Sequence, residues 1–213
     1  MQADISIKNL KLKELKKIIK EKNDCLLIEG MKLFSEAAKG EIQIEKIYID
    51  KSNNNSFLRT YPQYKNVEIV FVSNDLLSEN YTTDSEPEGE DLILALAKKP
   101  KREINSLFEL KKNIVFLERI QDPGNLGMIL RSALAFNAGG VCLSEHSVNP
   151  FNTKVIRASA GAVFNMPIFL IDDFDSFCKQ ARSYKYKIIA TKVNANKNLE
   201  ELKLTPPLVF LFG

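Results

Sequence analysis

The sequence predicts an α/β protein with two domains, the second of which is built on an open parallel sheet. Short apolar runs alternate with segments of helical periodicity along the chain, and this alternation is typical of α/β folds. The charged segment 98–102 contains a proline and lacks apolar periodicity, as linkers between domains do. We therefore expect a first domain over residues 1–98, a linker over 99–112 and a second domain over 113–213.

The first domain is expected to open with a basic amphipathic helix. Leucines and isoleucines recur at helical spacing over residues 8–22, and lysines occupy the opposite face. Such a face is typical either of solvated surface or of a surface that follows phosphates. The lysines that we expect to meet phosphates are Lys13, Lys16, Lys17 and Lys20. Beyond this helix, strands are predicted over 25–28, 47–49, 67–72 and 92–97, with helices after Gly30 and Ser73.

The second domain is predicted from uninterrupted apolar runs, which suit strands that are buried on both faces of a parallel sheet. The runs lie at 114–117, 141–143, 168–171, 188–190 and 208–211. Helical patterns separate them at about 125–137, 153–162 and 174–183. In open sheets of this kind, ligands bind at the carboxyl ends of the strands.

Composition excludes several other classes of protein. No apolar run is long enough to span a membrane, and the lysine-rich start does not resemble a secretory signal, so we expect a cytoplasmic protein. Cys25, Cys142 and Cys178 are widely spaced and odd in number, which supports neither a zinc site nor a disulfide framework. His146 stands alone in a polar loop, so it is expected at the surface and no metal site is predicted.

The turn after the first strand of the second domain is the best candidate for a site. Asp122 is expected to cap the following helix, Pro123 suits its first turn, and Gly127 would let a ligand or another backbone approach closely. Asn125 can donate and accept hydrogen bonds, and Arg131 offers a fork of donors suited to a phosphate. On these residues alone, a structural helix cap and a surface ion pair for Arg131 remain open alternatives.

Two stretches resemble a known family. Residues 122–135 look like the first signature motif of the SpoU/TrmH RNA methyltransferases, and residues 152–167 are similar to the segment that follows it. The first half resembles the substrate-binding domain of this family at 27–30 and 87–89. The resemblance implies transfer of a methyl group from S-adenosylmethionine to a ribose 2′-hydroxyl of rRNA or tRNA. It also implies a parallel sheet with a trefoil knot in its C-terminal chain.

The resemblance assigns roles to four residues. Arg131 and Asn125 occupy the catalytic positions, where Arg131 is expected to bind the phosphate beside the target ribose and Asn125 to order the loop. Thr191 follows the strand at which the cofactor pocket begins, and Gly213 matches the opening glycine of the cofactor loop. RNA is the implied partner, with a homodimer expected for complete family members.

The sequence stops at Gly213, before the second and third family motifs and the knotted region. We expect either a fragment of a longer protein or a natural truncation, with weak binding of S-adenosylmethionine or none, no activity of the isolated 213-residue chain and doubtful dimerisation. An RNA-binding module without catalysis is therefore an alternative to the enzyme. A nucleotide-binding α/β protein unrelated to RNA is a third hypothesis, and it predicts no salt-sensitive affinity for RNA.

Overall fold

The computed structural model describes residues 24–40, 42–79, 81, 92–195 and 197–213. The predicted helix over 8–22, with Lys13, Lys16, Lys17 and Lys20, lies outside the described residues, and so does the resemblance at 87–89. The chain divides between Pro100 and Lys101 into two compact units. Within the described ranges, every helix is too short or too polar to cross a membrane.

The N-terminal unit contains a four-stranded sheet in the order β1-β4-β2-β3. Strands β2 and β3 are parallel, whereas β4 runs antiparallel to both β1 and β2. The strands are β1 (Cys25–Glu29), β2 (Ile44–Ile49), β3 (Glu68–Phe71) and β4 (Ile93–Lys98). The helices are α1 (Met31–Lys39), α2 (Asn54–Thr60) and α3 (Asn74–Glu79). Gly30 links β1 to α1 at φ 90°, a conformation that favours glycine.

The C-terminal unit contains a five-stranded sheet in the order β7-β6-β5-β9-β8, and every neighbouring pair is parallel. The strands are β5 (Ile114–Leu117), β6 (Gly140–Ser144), β7 (Ile168–Ile171), β8 (Lys187–Ala190) and β9 (Leu208–Phe212). The helices are α4 (Ile104–Glu109), α5 (Pro123–Ala135), α6 (Thr153–Ala158), α7 (Ala162–Asn165) and α8 (Phe174–Ser183). The predicted α/β class with an open parallel sheet is therefore confirmed.

Strand β5 lies at the centre of this sheet, between β6 and β9. Burial of its apolar side chains stabilises the unit, because Ile114 and Phe116 belong to one core cluster with residues from α8 and β9. Phe116 packs against Phe174 and Phe177 of α8, with ring centroids 4.9 and 5.1 Å apart. This packing fixes the strand that delivers the chain to the candidate site.

The structure differs from two sequence expectations. Residues 104–109, which we expected in the linker, form α4, because Leu107 and Phe108 bury their side chains in the core of the C-terminal unit. The single helix expected over 153–162 is two helices, α6 and α7. The break lies at Ala160 (φ 48°) and Gly161 (φ 82°), whose left-handed backbone cannot continue an α-helix.

Candidate functional site

The site begins at the first turn of α5, where Asp122 caps the helix. The Asp122 Oδ1 accepts a hydrogen bond from the backbone N–H of Asn125 at 2.6 Å. Pro123, which has no N–H to leave unpaired, occupies the first helical position. The predicted cap is confirmed, and it holds the backbone of Asn125 immediately beyond the end of β5.

Gly127 allows α5 to approach α6 closely. A Cβ atom at residue 127 would lie 2.4 Å from the Cβ of Ala158 and 2.7 Å from the backbone N of Ser159. The close approach predicted for this glycine is therefore to another backbone rather than to a ligand. Because α6 belongs to the segment 152–167, this contact joins the two stretches that carry the family resemblance.

The carboxyl ends of β5, β8 and β9 meet at one edge of the sheet. The backbone N–H of Glu118 donates to the Phe212 carbonyl at 2.7 Å. Thr191 is fixed to β9 twice, since its N–H and its Oγ1 both donate to the Leu211 carbonyl, at 2.9 and 3.2 Å. The structure thus brings Thr191 and the end of β9 together, at the edge where the resemblance implies a cofactor pocket.

Gly213 lies beside Glu118 at this edge. A Cβ atom at residue 213 would lie 2.6 Å from the Cβ of Glu118 and 3.3 Å from its Oε2. Glycine at residue 213 therefore accommodates the Glu118 side chain, and Gly213 and Thr191 stay exposed at this edge, where a ligand can reach them. The sequence reasoning missed Glu118, although a polar residue directly after a buried strand is the signal that would have identified it.

The loop that follows β5 is bonded to the loop that follows β6. The backbone N–H of Arg119 donates to Ser144 Oγ at 2.8 Å, and the N–H of Val148 donates to the Ile120 carbonyl at 2.7 Å. The Gln121 side-chain amide donates to the carbonyls of Arg119 and His146. His146 is exposed, as expected, and contributes here through its backbone. These contacts hold the turn before Asn125 in one conformation.

A cleft of about 1010 Å³ runs along one side of α5. Most of its wall is apolar, and Met128 and Phe136 are 58% and 87% exposed. The lining residues from α5, its C-terminal cap, β5 and β9 are Asn125, Met128, Ile129, Ser132, Ala133, Phe136, Val115, Leu117, Phe210 and Phe212. Asn125 lines the cleft near the carboxyl end of β5, the cleft extends along the sheet to Asn113 and Pro206 at the opposite edge, and Arg131 is not part of the wall.

The structure does not bring Asn125 and Arg131 into contact with one common point. Six residues of α-helix separate them, which corresponds to about 9 Å along the axis and a rotation of about 120°. Arg131 is exposed, and within the described ranges its guanidinium makes no hydrogen bond or ion pair. Among the described residues, the ion pair considered as an alternative is thus not formed.

The cysteines do not form a reactive centre. Cys25, Cys142 and Cys178 are all buried, and burial raises the pKa of each thiol, that of Cys25 to about 11. A thiol with a raised pKa is a poor nucleophile and a poor metal ligand at neutral pH. In the part of the chain that the structure describes, no group of three or more His, Cys, Asp or Glu side chains is placed to hold a metal ion.

Comparison with known proteins identifies similar sequences. Residues 112–213 match the sequence profile of the SpoU rRNA Methylase family. An uncharacterized tRNA/rRNA methyltransferase from Synechocystis is 36% identical over 97 residues, which cover 46% of this chain and 35% of that protein. The 23S rRNA (guanosine(2553)-2′-O)-methyltransferase RlmP from Bacillus subtilis is 25% identical over 213 residues, which cover 98% of this chain and 80% of that protein. The chain thus spans between about a third and four fifths of the length of these relatives.

Solved structures share the fold. The SpoU methyltransferase AviRb from Streptomyces viridochromogenes, in complex with AdoMet, superposes with a TM-score of 0.80 at 18% identity. That match covers 95% of this chain and 80% of AviRb. An AdoMet-bound rRNA methyltransferase from Sinorhizobium meliloti gives a TM-score of 0.78 at 22% identity, over 98% of this chain and 79% of the other. At these identities the likeness establishes the fold of the described units.

Proposed function

The C-terminal half of this chain belongs to the SpoU rRNA methylase family, and we propose that the protein transfers a methyl group from S-adenosylmethionine to a ribose 2′-hydroxyl of rRNA or tRNA. The observation that carries the proposal is the convergence of the Asn125 turn, Thr191 and Gly213 at the carboxyl edge of one parallel sheet. Specificity for the ribose is supported by the 2′-O activity in the name of the Bacillus subtilis relative.

Thr191 and Gly213 are the residues that would hold the cofactor. Thr191 is fixed to β9 by two hydrogen bonds, and Gly213 lies exposed after the end of β9, packed against Glu118. Both residues lie at strand ends, where ligands of open α/β sheets bind. AdoMet in the structures of AviRb and of the Sinorhizobium meliloti enzyme supports the same cofactor here. S-adenosylmethionine would supply the electrophilic methyl group.

Arg131 and Asn125 would act on different parts of the RNA. An exposed, unpaired guanidinium is suited to a phosphate, because its planar fork of donors matches phosphate oxygens and its charge is permanent. For the same reason Arg131 is a poor proton acceptor at rest. We assign it to binding the phosphate beside the target ribose and to stabilising negative charge on the 2′-oxygen as that oxygen passes its proton to solvent water. Asn125, held by the Asp122 cap, orders the loop.

The remaining expectations concern the whole protein. Residues 101–213 contain 15 lysines and arginines and 10 aspartates and glutamates, an excess of positive charge that favours RNA as the partner. We assign residues 1–98 to RNA substrate binding, with Lys13, Lys16, Lys17 and Lys20 as phosphate contacts. A homodimer is proposed for the complete protein and not for residues 1–213 alone, together with a cytoplasmic location, and light scattering of both forms tests the dimer.

A methyl-transfer assay tests the proposed function. Purified protein is incubated with S-adenosylmethionine that carries a tritiated methyl group and with rRNA or tRNA, and label in the RNA is counted. We expect incorporation by protein that carries the complete cofactor site and none by residues 1–213 alone, and a loss of about 100-fold or more in rate for Arg131→Ala in the active protein, as for other losses of charge stabilisation. Salt-sensitive RNA binding without any incorporation would favour an RNA-binding module instead, and the absence of both would contradict the proposal.

A further inference from the structure

We propose that Arg119 is a second arginine of the site that binds the RNA backbone, and that its left-handed main chain is what presents its guanidinium at the carboxyl edge of the sheet. This inference rests on the proposed function, since it names a further contact to the same RNA. Arg119 lies two residues after the end of β5 and three before the cap of α5. It is outside the segment 122–135 that carries the family resemblance.

The main chain of Arg119 adopts a conformation that arginine rarely takes. Its φ is 49°, in the left-handed region where a Cβ atom is unfavourable and glycine is preferred. The surrounding structure imposes this conformation: Ser144 Oγ accepts the Arg119 N–H at 2.8 Å, and the Gln121 side chain donates to the Arg119 carbonyl at 3.4 Å. Ser144 Oγ is itself satisfied, because it donates to the Glu145 carbonyl at 3.2 Å.

The side chain of Arg119, unlike its main chain, is not held by other described residues. The residue is exposed, and among the described residues its guanidinium has no hydrogen bond or ion pair. The two carboxylates nearest in sequence contact other groups and not the Arg119 guanidinium. The carboxylate of Asp122 caps α5, and Glu118 lies against Gly213. Strained residues of this kind concentrate at functional sites. A cation held at the ligand-binding edge without an internal partner is suited to an external phosphate.

The position of Arg119 favours a contact with an RNA phosphate over the role of a solvated surface residue. Arg119 precedes Asn125 by six residues in a turn that is bonded to the β6 loop, so its guanidinium is carried by a fixed part of the site. Together with Arg131, it would place cations before and after Asn125 along the chain. An RNA strand that crosses the first turn of α5 would then meet a positive charge on each side of the target nucleotide.

The test replaces Arg119 with glycine and measures affinity for RNA. Because glycine adopts φ 49° without strain, Arg119→Gly should keep or raise the melting temperature, so weaker binding cannot be attributed to unfolding. The probe is a 23S rRNA transcript that contains guanosine 2553, the nucleotide named for the Bacillus subtilis relative. We expect the dissociation constant to rise about tenfold and the slope of log affinity against log salt to fall by about 0.7 to 0.9. Arg119→Asn, which also tolerates this backbone, should give the same loss.

Lys185→Gly is the matched control. Lys185 is also exposed and cationic with a left-handed main chain (φ 68°), but it precedes β8 and so lies at the opposite edge of the sheet. Its replacement removes the same charge and the same strain, and should change RNA affinity less than twofold. An equal loss of RNA affinity in both variants, or unchanged affinity of Arg119→Gly, would overturn the inference about Arg119. Neither result would contradict methyl transfer by the wild type. Failure of the wild type to bind RNA would overturn the proposed function as well.

Discussion

Replacing Gly127 with alanine tests how the site is held in place. The added Cβ would lie 2.4 Å from the Cβ of Ala158 and 2.7 Å from two backbone atoms, so α5 and α6 must separate by about 1 Å to reach an ordinary contact of at least 3.4 Å. Overpacking against backbone lowers the free energy of unfolding by about 3 kcal/mol, and the higher helix propensity of alanine raises it by about 1 kcal/mol. The net loss of about 2 kcal/mol corresponds to a fall of about 8 °C in the melting temperature of a unit of this size.

The same displacement should affect chemistry. A shift of about 1 Å in α5 moves Asn125 and Arg131 relative to the end of β9, and misplacement on this scale reduces catalytic rates by about 100-fold. Gly124→Ala is the control in the same helix, because its Cβ meets only the Asp122 carboxylate, with Oδ1 at 3.1 Å, and a shift of a few tenths of an ångström relieves this contact without breaking the cap. Calorimetry should show a change within about 1 kcal/mol for the control. Equal melting temperatures for the two variants would refute the reasoning about helix packing.

Three further predictions concern single contacts. Asp122→Ala should lower the free energy of unfolding by about 1 kcal/mol in urea titration through loss of the cap, whereas Asp122→Asn should stay within a few tenths of a kcal/mol. Burial and then the hydrogen bond to Glu45 raise the pKa of Cys25 from 9.0 to about 11, so its alkylation by iodoacetamide at pH 8 should be about 100-fold slower than in the unfolded chain. Rapid labelling of the folded protein would contradict the buried position. Lys111→Ala should lower the free energy of unfolding by at most about 1 kcal/mol. The Lys111 ammonium donates to the Tyr184 carbonyl at the end of α8 but is exposed to solvent. An unchanged melting temperature would show that this hydrogen bond contributes nothing to stability.

Strands and caps were predictable because their signals are local. The run 114–117 forms β5 with the predicted bounds, since burial on both faces requires continuous apolar side chains. The Asp122 cap follows from the residue types that accept hydrogen bonds at a helix start. Helix α4 was assigned to the linker because its two buried side chains, Leu107 and Phe108, lie among polar residues, and only tertiary packing identifies them as core.

The candidate site was predictable in its position but not in its detail. Strand order places Thr191 beside β9, and the carboxyl edge follows from the parallel sheet. The separation of Asn125 and Arg131 around α5 was available from helix periodicity, because six residues rotate by about 600°, which leaves the two positions about 120° apart. The left-handed backbone of Arg119 leaves no trace in the sequence, since it depends on the hydrogen bond that its N–H donates to Ser144, 25 residues away at the end of β6.

Identification of the methylated atom tests the central claim most directly. RNA incubated with the protein and S-adenosylmethionine is digested to nucleosides, and mass spectrometry determines whether the added methyl group lies on the ribose or on the base. The proposed reaction requires a 2′-O-methylated nucleoside that disappears with Arg131→Ala and persists with Lys185→Gly. A methyl group on a base, or a ribose product that is unaffected by Arg131→Ala, would contradict the assignment of this edge of the sheet to ribose methylation.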